Sequence, residues 1–404
     1  MRMAKGAMVT AALWLCVVGA TNARTNAWGR HVGDLNENQT MTMLVGTYTT
    51  PEKSQGIYTL TFDPATGTLS EPTLAVETRN PTFLALHPTK RVVYAVGEIG
   101  EYEGKPAGMI SAFAIEPDGK RLRLLNRQST RGSGPCHVCV DREGRVVLAA
   151  NYGGGSTVIL GLNSDGSLKP SNEHGFIQHR GKSVNPRRQE GPHAHSVNLD
   201  EANRFAIVAD LGLDKLLVYK VDTREATITP NDPPAIDLPP GSGPRHFTFH
   251  PTRPLAYSVN ELDSTVTTLA WDASTGRLTI LGHASTLPEG FDAASVNNTT
   301  AEIVVHPSGR FLYASNRGHN SIAVFSLDPE SGLPTLRGHG REGVETPRNF
   351  VIDPTGRYLL VGSQTADRIV TFAIDPQTGD LTPHGQPVSV FAPVCLRFVT
   401  HKAE

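Results

Sequence analysis

The chain has 404 residues, 38% of them apolar, and is long enough to bury a sizeable core. Its 37 Lys and Arg against 39 Asp and Glu leave a formal net charge of -2, and no run of five like charges occurs, which argues against nucleic acid as a partner. The 39 Gly and 29 Pro are spread along the whole chain, a punctuation that suits many short strands joined by turns better than long helices.

The chain opens with MRMAKGAMVTAALWLCVVGATNA, in which Arg2 and Lys5 precede an apolar run ending near Ala20 and small residues follow. This three-part layout predicts a secretory signal peptide over residues 1–23, and the apolar run falls short of the ~20 residues a membrane span needs. Residues 24–40 are expected as a disordered leader and 41–404 as the folded domain. The product is then secreted or periplasmic, with no membrane association after cleavage. With Cys16 removed, Cys136, Cys139 and Cys395 remain, too few and odd in number for a disulfide framework. The CHVC pair has zinc-ligand spacing but no companion motif, and residues three apart on a strand face opposite sides, so no metal is expected.

From there a unit recurs about every fifty residues, the length of a small supersecondary module. An apolar strand ends in His or Asp, a turn follows, and a second apolar strand leaves it. The copies are FLALHPTKRVVYAVGE, HVCVDREGRVVLAANY, SVNLDEANRFAIVADL, HFTFHPTRPLAYSVNE, EIVVHPSGRFLYASNR and NFVIDPTGRYLLVGSQ. The markers are His87, Asp141, Asp200, His250, His306 and Asp353, with His401 next in line. A third strand and a DxxTGxL-type turn follow most copies, as in TVTTLAWDASTGRLTIL, so each unit holds about four strands. Four-stranded units repeated around an axis predict an all-β, seven-bladed β-propeller. Its seventh blade pairs N-terminal strands (MTMLVGTYT, GIYTLTFDPATGTL) with the C-terminal CLRFVT to close the ring.

The repeat also allows positions to be compared within the chain. Residues five before and eleven after each marker meet at the open end of the hairpin, at the channel mouth. The first column reads Thr82, Cys136, His195, Arg245, Ala301, Arg348; the second reads Glu98, Tyr152, Leu211, Glu261, Arg317, Gln364. A purely structural column repeats one residue type, whereas these vary and carry many ionisable groups. They predict a net cationic pocket in which guanidinium groups clamp an anionic small molecule, while an imidazole and a carboxylate supply proton transfer. The extended lead GPHAHS puts His193 beside His195, and the long stretch before it is expected to cross the mouth, bringing Arg188 and Gln189 to a ligand. The chain has no Gly-x-Ser-x-Gly elbow, and GGGST at 153–157 lacks the Lys of a phosphate-binding loop.

The strings NYGGGSTV, NPRRQEGPHAHSV, ADLGLDKLLVYKVD, GPRHFTFHP, YSVNEL and YASNRGHNSIAVFS together resemble the lactonase family of seven-bladed propellers, which includes 6-phosphogluconolactonases and carboxy-muconate lactonizing enzymes. The resemblance covers the chain from about Met43 to Val399. It implies hydrolysis of a small anionic or sugar-derived lactone, with a lactone or carboxylate as partner and with no cofactor and no obligatory metal. It also implies catalytic roles for His195 in PHAHS, Arg245 in GPRH, Glu261 in VNEL and Arg317 in SNRG. Arg348, His193, Glu98, Gln364, Tyr152 and Arg188 are the expected substrate-binding residues. Two other readings stay open: a lactonizing cycloisomerase, which runs the chemistry in reverse, and a non-catalytic secreted propeller that binds a protein or surface polymer.

Overall fold

The computed structural model describes residues 39–399; the expected signal segment, nearly all of the expected leader, and His401 lie outside the described residues. No helix among the described residues is long and apolar enough to cross a membrane. The described residues form seven antiparallel sheets. The innermost strands are Leu84–Leu86, Pro135–Val140, Ala194–Leu199, Pro244–Phe249, Thr299–Val305, Pro347–Ile352 and Pro393–Phe398. Six blades are continuous in sequence. The seventh is closed by pairing Met41–Thr47 with Pro393–Phe398, from Met43 opposite Phe398 to Gly46 opposite Cys395. This is the predicted seven-bladed propeller with joined ends.

The marker residues repeat because each does two jobs. Asp141, Asp200 and Asp353 accept backbone N–H bonds from the turn that follows, as Asp353 does from Arg357 (2.8 Å) and Tyr358 (2.7 Å). Histidine accepts the same kind of bond at Nδ1 and uses Nε2 to reach the next blade: His87 to Gly144 O (3.3 Å), His250 to Gly309 O (3.0 Å), His306 to Gly356 O (2.8 Å). Tyr94, Tyr257 and Tyr313 add hydroxyl bonds of 2.8–2.9 Å to glycine carbonyls of their neighbours. One expectation needs correction. The backbone bond that defines the marker, such as Asp353 N–H to Tyr358 O, is made in the seventh blade by Val399 to Thr42 O, so Val399 and not His401 holds that position.

A second repeated feature aims side chains into the mouth. The pairing register of the innermost strand slips once near its start: Pro244 faces Asn260 and His246 faces Val259, leaving Arg245 between them. The same slip leaves Cys136, His195, Arg348 and Val394 unpaired. A β-bulge of this kind bends the strand and re-aims the extra residue.

Candidate active site

The bulge residues and the ends of the adjoining strands form one cup. Glu261, 4% exposed, is its electrostatic centre. Arg317 Nη2 lies 2.9 Å and Arg245 Nε 3.0 Å from its Oε2, and Arg188 Nη2 lies 2.5 Å from its Oε1. The Arg245 contact is off the line of its N–H, an ion pair without a hydrogen bond. Arg245 Nη1 donates instead to Ala301 O at 2.5 Å, and Arg317 Nη2 also donates to Thr300 O at 2.7 Å. Burial raises a carboxyl, but Arg317, Arg245 and Arg188 outweigh it and hold Glu261 down at about 2. Burial, with Arg317 and Arg348 nearby, lowers Arg245 to about 9, still a cation at neutral pH.

His195 is buried on the adjacent blade, its ring edge-on to Tyr152 at 5.3 Å between centroids and its Nδ1 3.6 Å from the Cys136 sulfur. Burial first, then Arg245, His246 and Arg348, keep its imidazole well below the usual value of 6.5, so it is neutral near pH 7. The Cys136 thiol is pushed up to about 12 by burial and the nearby Glu98, and stays protonated. Glu261 spends its contacts on arginines and makes none with His195, so the geometry does not place it as a partner of the imidazole.

The opposite wall holds Thr82, Glu98, Tyr48 and Arg348. Thr82 Oγ1 donates to Glu98 Oε2 at 2.5 Å, and the Tyr48 hydroxyl donates to Oε1 at 3.1 Å. Arg348 lies over the Tyr48 ring, 5.5 Å from its centroid, and among the described residues it makes no hydrogen bond or ion pair. Burial lowers its pKa, but Tyr48, Glu98, Cys136 and Glu261 reverse that, so it remains charged. Of the four guanidiniums at the mouth, Arg348 alone has no carboxylate within ion-pair distance. Gln364 stands at the matching strand end, half-buried, with no polar contact to this group.

The stretch before His195 is only partly loop, since it begins with the 3-10 turn Glu173–Gly175 and the outer strand Phe176–Gln178. The remainder carries Arg188 over the mouth as expected, where it also reaches the Tyr152 hydroxyl at 3.3 Å. Gln189 turns inward, donating to Leu211 O at 2.9 Å and accepting from Asn185 N, so it holds the loop and does not face a ligand. His193 stacks on Tyr152 at 4.6 Å with Nδ1 3.0 Å from the Tyr152 carbonyl, which places it at the rim. A Thr157, His179, Asp210 chain (3.1 and 2.6 Å) anchors the same segment. It has triad connectivity, but its hydroxyl is sealed from solvent and no substrate reaches it. Among the described residues no group of three or more His, Cys, Asp or Glu is arranged to hold a metal ion.

Two sets of residues escaped the sequence reading. Tyr48 and Val394 are the seventh-blade members of the two columns, hidden because Val399 carries no His or Asp signal. Below the cup lies a second layer, one residue further along each innermost strand. There the His246 ring meets Phe83 and His137, with centroids 5.7 and 5.4 Å apart. Strict alternation turns Arg245 and His246 to opposite faces; the bulge lets both contribute to the site.

The fold and site define a seven-bladed propeller with a cation-rich axial cup. Residues 42–398 match the family model described as lactonase, 7-bladed beta-propeller, and the chain belongs to that family. It is 36% identical over 357 residues to a 6-phosphogluconolactonase of Bacillus subtilis, covering 88% of this chain and 97% of that one. A 6-phosphogluconolactonase of Formosa agariphila is 32% identical across 76% of this chain and 85% of its own length. Among solved structures, a periplasmic gluconolactonase of Pseudomonas aeruginosa superposes with a TM-score of 0.83 at 32% identity, over 90% of this chain and 100% of that one.

Proposed function

We propose that this protein is a lactonase that hydrolyses the ring ester of a small, anionic, sugar-derived lactone of the 6-phosphogluconolactone type. The observation that carries the reading is a neutral, buried imidazole set between an unpaired guanidinium and three guanidiniums gathered on one carboxylate. Arg348 takes the anionic substituent of the substrate, a role that suits its free donors. Arg317 and Arg188, more open than Arg245, face the lactone carbonyl and stabilise the charge that grows on its oxygen.

His195 acts as general base. It takes a proton from water as the hydroxide equivalent bonds to the carbonyl carbon, and the carbonyl electron pair moves to oxygen. Collapse breaks the bond between carbonyl carbon and ring oxygen. The ring oxygen leaves with the proton from the imidazolium, giving an open-chain hydroxy acid and restoring neutral His195. Glu261, ionised throughout because its carboxyl is held at about 2, moves no proton; it keeps the guanidiniums converged. The export signal read at residues 1–23 and the periplasmic relative support a secreted or periplasmic location.

The test is acid release in a pH-stat from 6-phosphogluconolactone, gluconolactone and a muconolactone, with the spontaneous rate subtracted. Preference for the phosphorylated lactone supports the reading. Turnover of the muconolactone alone, or of none of the three, overturns it.

A further inference from the structure

The hydrolysis just described leaves unused a buried ionisable pair that packs against His195 itself. His246 lies directly under His195, ring centroids 5.5 Å apart at an interplanar angle of 63°. Its Nδ1–H donates to Glu302 Oε1 at 2.7 Å, and the same oxygen accepts the Ile303 N–H at 3.0 Å. Asn349 Nδ2 donates to the other carboxylate oxygen, and Asn349 Oδ1 in turn accepts the Leu396 N–H at 2.8 Å. Residues from three other blades therefore fix this one imidazole.

A buried ion-forming pair seldom repays its desolvation when an apolar plug fills the same volume, and Phe83 at this very level shows that an apolar side chain fits there. The pair also has the connectivity of a base and its orienting carboxylate. With Nδ1–H committed to Glu302, the lone pair sits on Nε2, and among the described residues no donor is bonded to it. His195 has no such carboxylate; its Nδ1 meets only the Cys136 sulfur. The charged and titratable groups around the two imidazoles are Tyr152, His137, Arg245, Arg348, Cys136 and, on the Glu302 side, Arg397. Burial, only partly offset by Glu302, holds His246 at about 4, so it too is neutral at pH 7.

We propose that His246, oriented by Glu302, is a positioning residue for the hydrolysis: it sets the ring orientation of His195 and the electrostatics beneath the attacked carbonyl. The inference rests on the reading of His195 as the base. Its test uses the double variant H246F/E302M, which keeps an aromatic ring against His195 without leaving a buried carboxylate unpaired, and E302Q, which keeps an acceptor for Nδ1–H.

Two quantities are measured in each folded variant: kcat and KM for 6-phosphogluconolactone, and the titration midpoint of the His195 ring by NMR, assigned with H195N. The double variant is expected to lose at least tenfold in kcat with KM within threefold. Its His195 midpoint moves upward, because in the acidic range where both buried imidazoles titrate the charge on His246 that opposes protonation of His195 is gone. E302Q is expected to retain more activity than the double variant. A double variant with kcat within twofold of wild type, or with an unmoved His195 midpoint, overturns the assignment. Should the double variant not fold, loss in E302Q with a moved midpoint supports the assignment, and wild-type behaviour in E302Q overturns it. Absence of any lactone hydrolysis by wild type counts against the proposed function, while the NMR arm still reads the coupling of the two rings.

Discussion

Replacing Glu261 by Gln removes the carboxylate on which three guanidiniums converge. Arg188 is more than a third exposed and loses little, but the side chains of Arg245 and Arg317 are 2% and 15% exposed and are left as uncompensated cations. A carboxyl lowered from 4.5 to about 2 on folding corresponds to about 3 kcal/mol of stability at pH 7. The sign follows from the depressed folded value: the contribution is present above the unfolded pKa of 4.5 and is lost as pH falls toward 2. At pH 3 roughly 1 kcal/mol of it survives. Urea unfolding of wild type and E261Q at pH 7 and pH 3 therefore has a defined outcome: wild type is more stable at pH 7, and the gap narrows by about 2 kcal/mol at pH 3. A gap that is the same at both values, or no gap at pH 7, refutes the account of Glu261 as an ionised hub.

Arg348→Met removes the unpaired guanidinium; a charge-assisted contact of about 1.5–3 kcal/mol predicts a rise in KM of roughly 10- to 100-fold for the phosphorylated lactone, with the neutral lactone changed less than threefold by steady-state kinetics. The base must be unprotonated, and His195 titrates well below 6.5, so kcat/KM is expected to stay level from pH 8 to about 6.5 and to fall only at lower pH in a pH-rate profile. His306→Ala deletes the bond to Gly356 of the next blade and lowers stability by roughly 1–3 kcal/mol in denaturant melts while leaving KM unchanged, since His306 lies at the turn end of its strand.

The ring was legible in the sequence because the devices that join blades recur as residue types: His or Asp closing each turn, Tyr and His reaching the next blade's glycine carbonyls. The mouth was legible for the opposite reason, as columns whose residues do not repeat. What stayed hidden depended on contacts that periodicity does not encode. The layer of His137, His246, Glu302 and Asn349 appears only once the bulge breaks the alternation of the strand. Tyr48 lies far from Arg348 in sequence, near the opposite end of the folded domain, and its partnership follows from the closure of the ring. Sequence placed Glu261, Arg245 and Arg317 in one cup but could not say that the carboxylate is spent on arginines, which leaves Arg348 as the free cation. Gln189 reads like a loop residue available to a ligand and is instead buried against the Leu211 carbonyl.

The central claim is that His195 activates the water that opens the ring. It is tested most directly by kcat/KM for 6-phosphogluconolactone in wild type and H195N, with the uncatalysed rate subtracted and folding verified by circular dichroism. The account predicts a loss of at least ~100-fold in a folded H195N protein, the scale of general-base assistance. Equal rates in the two proteins contradict it.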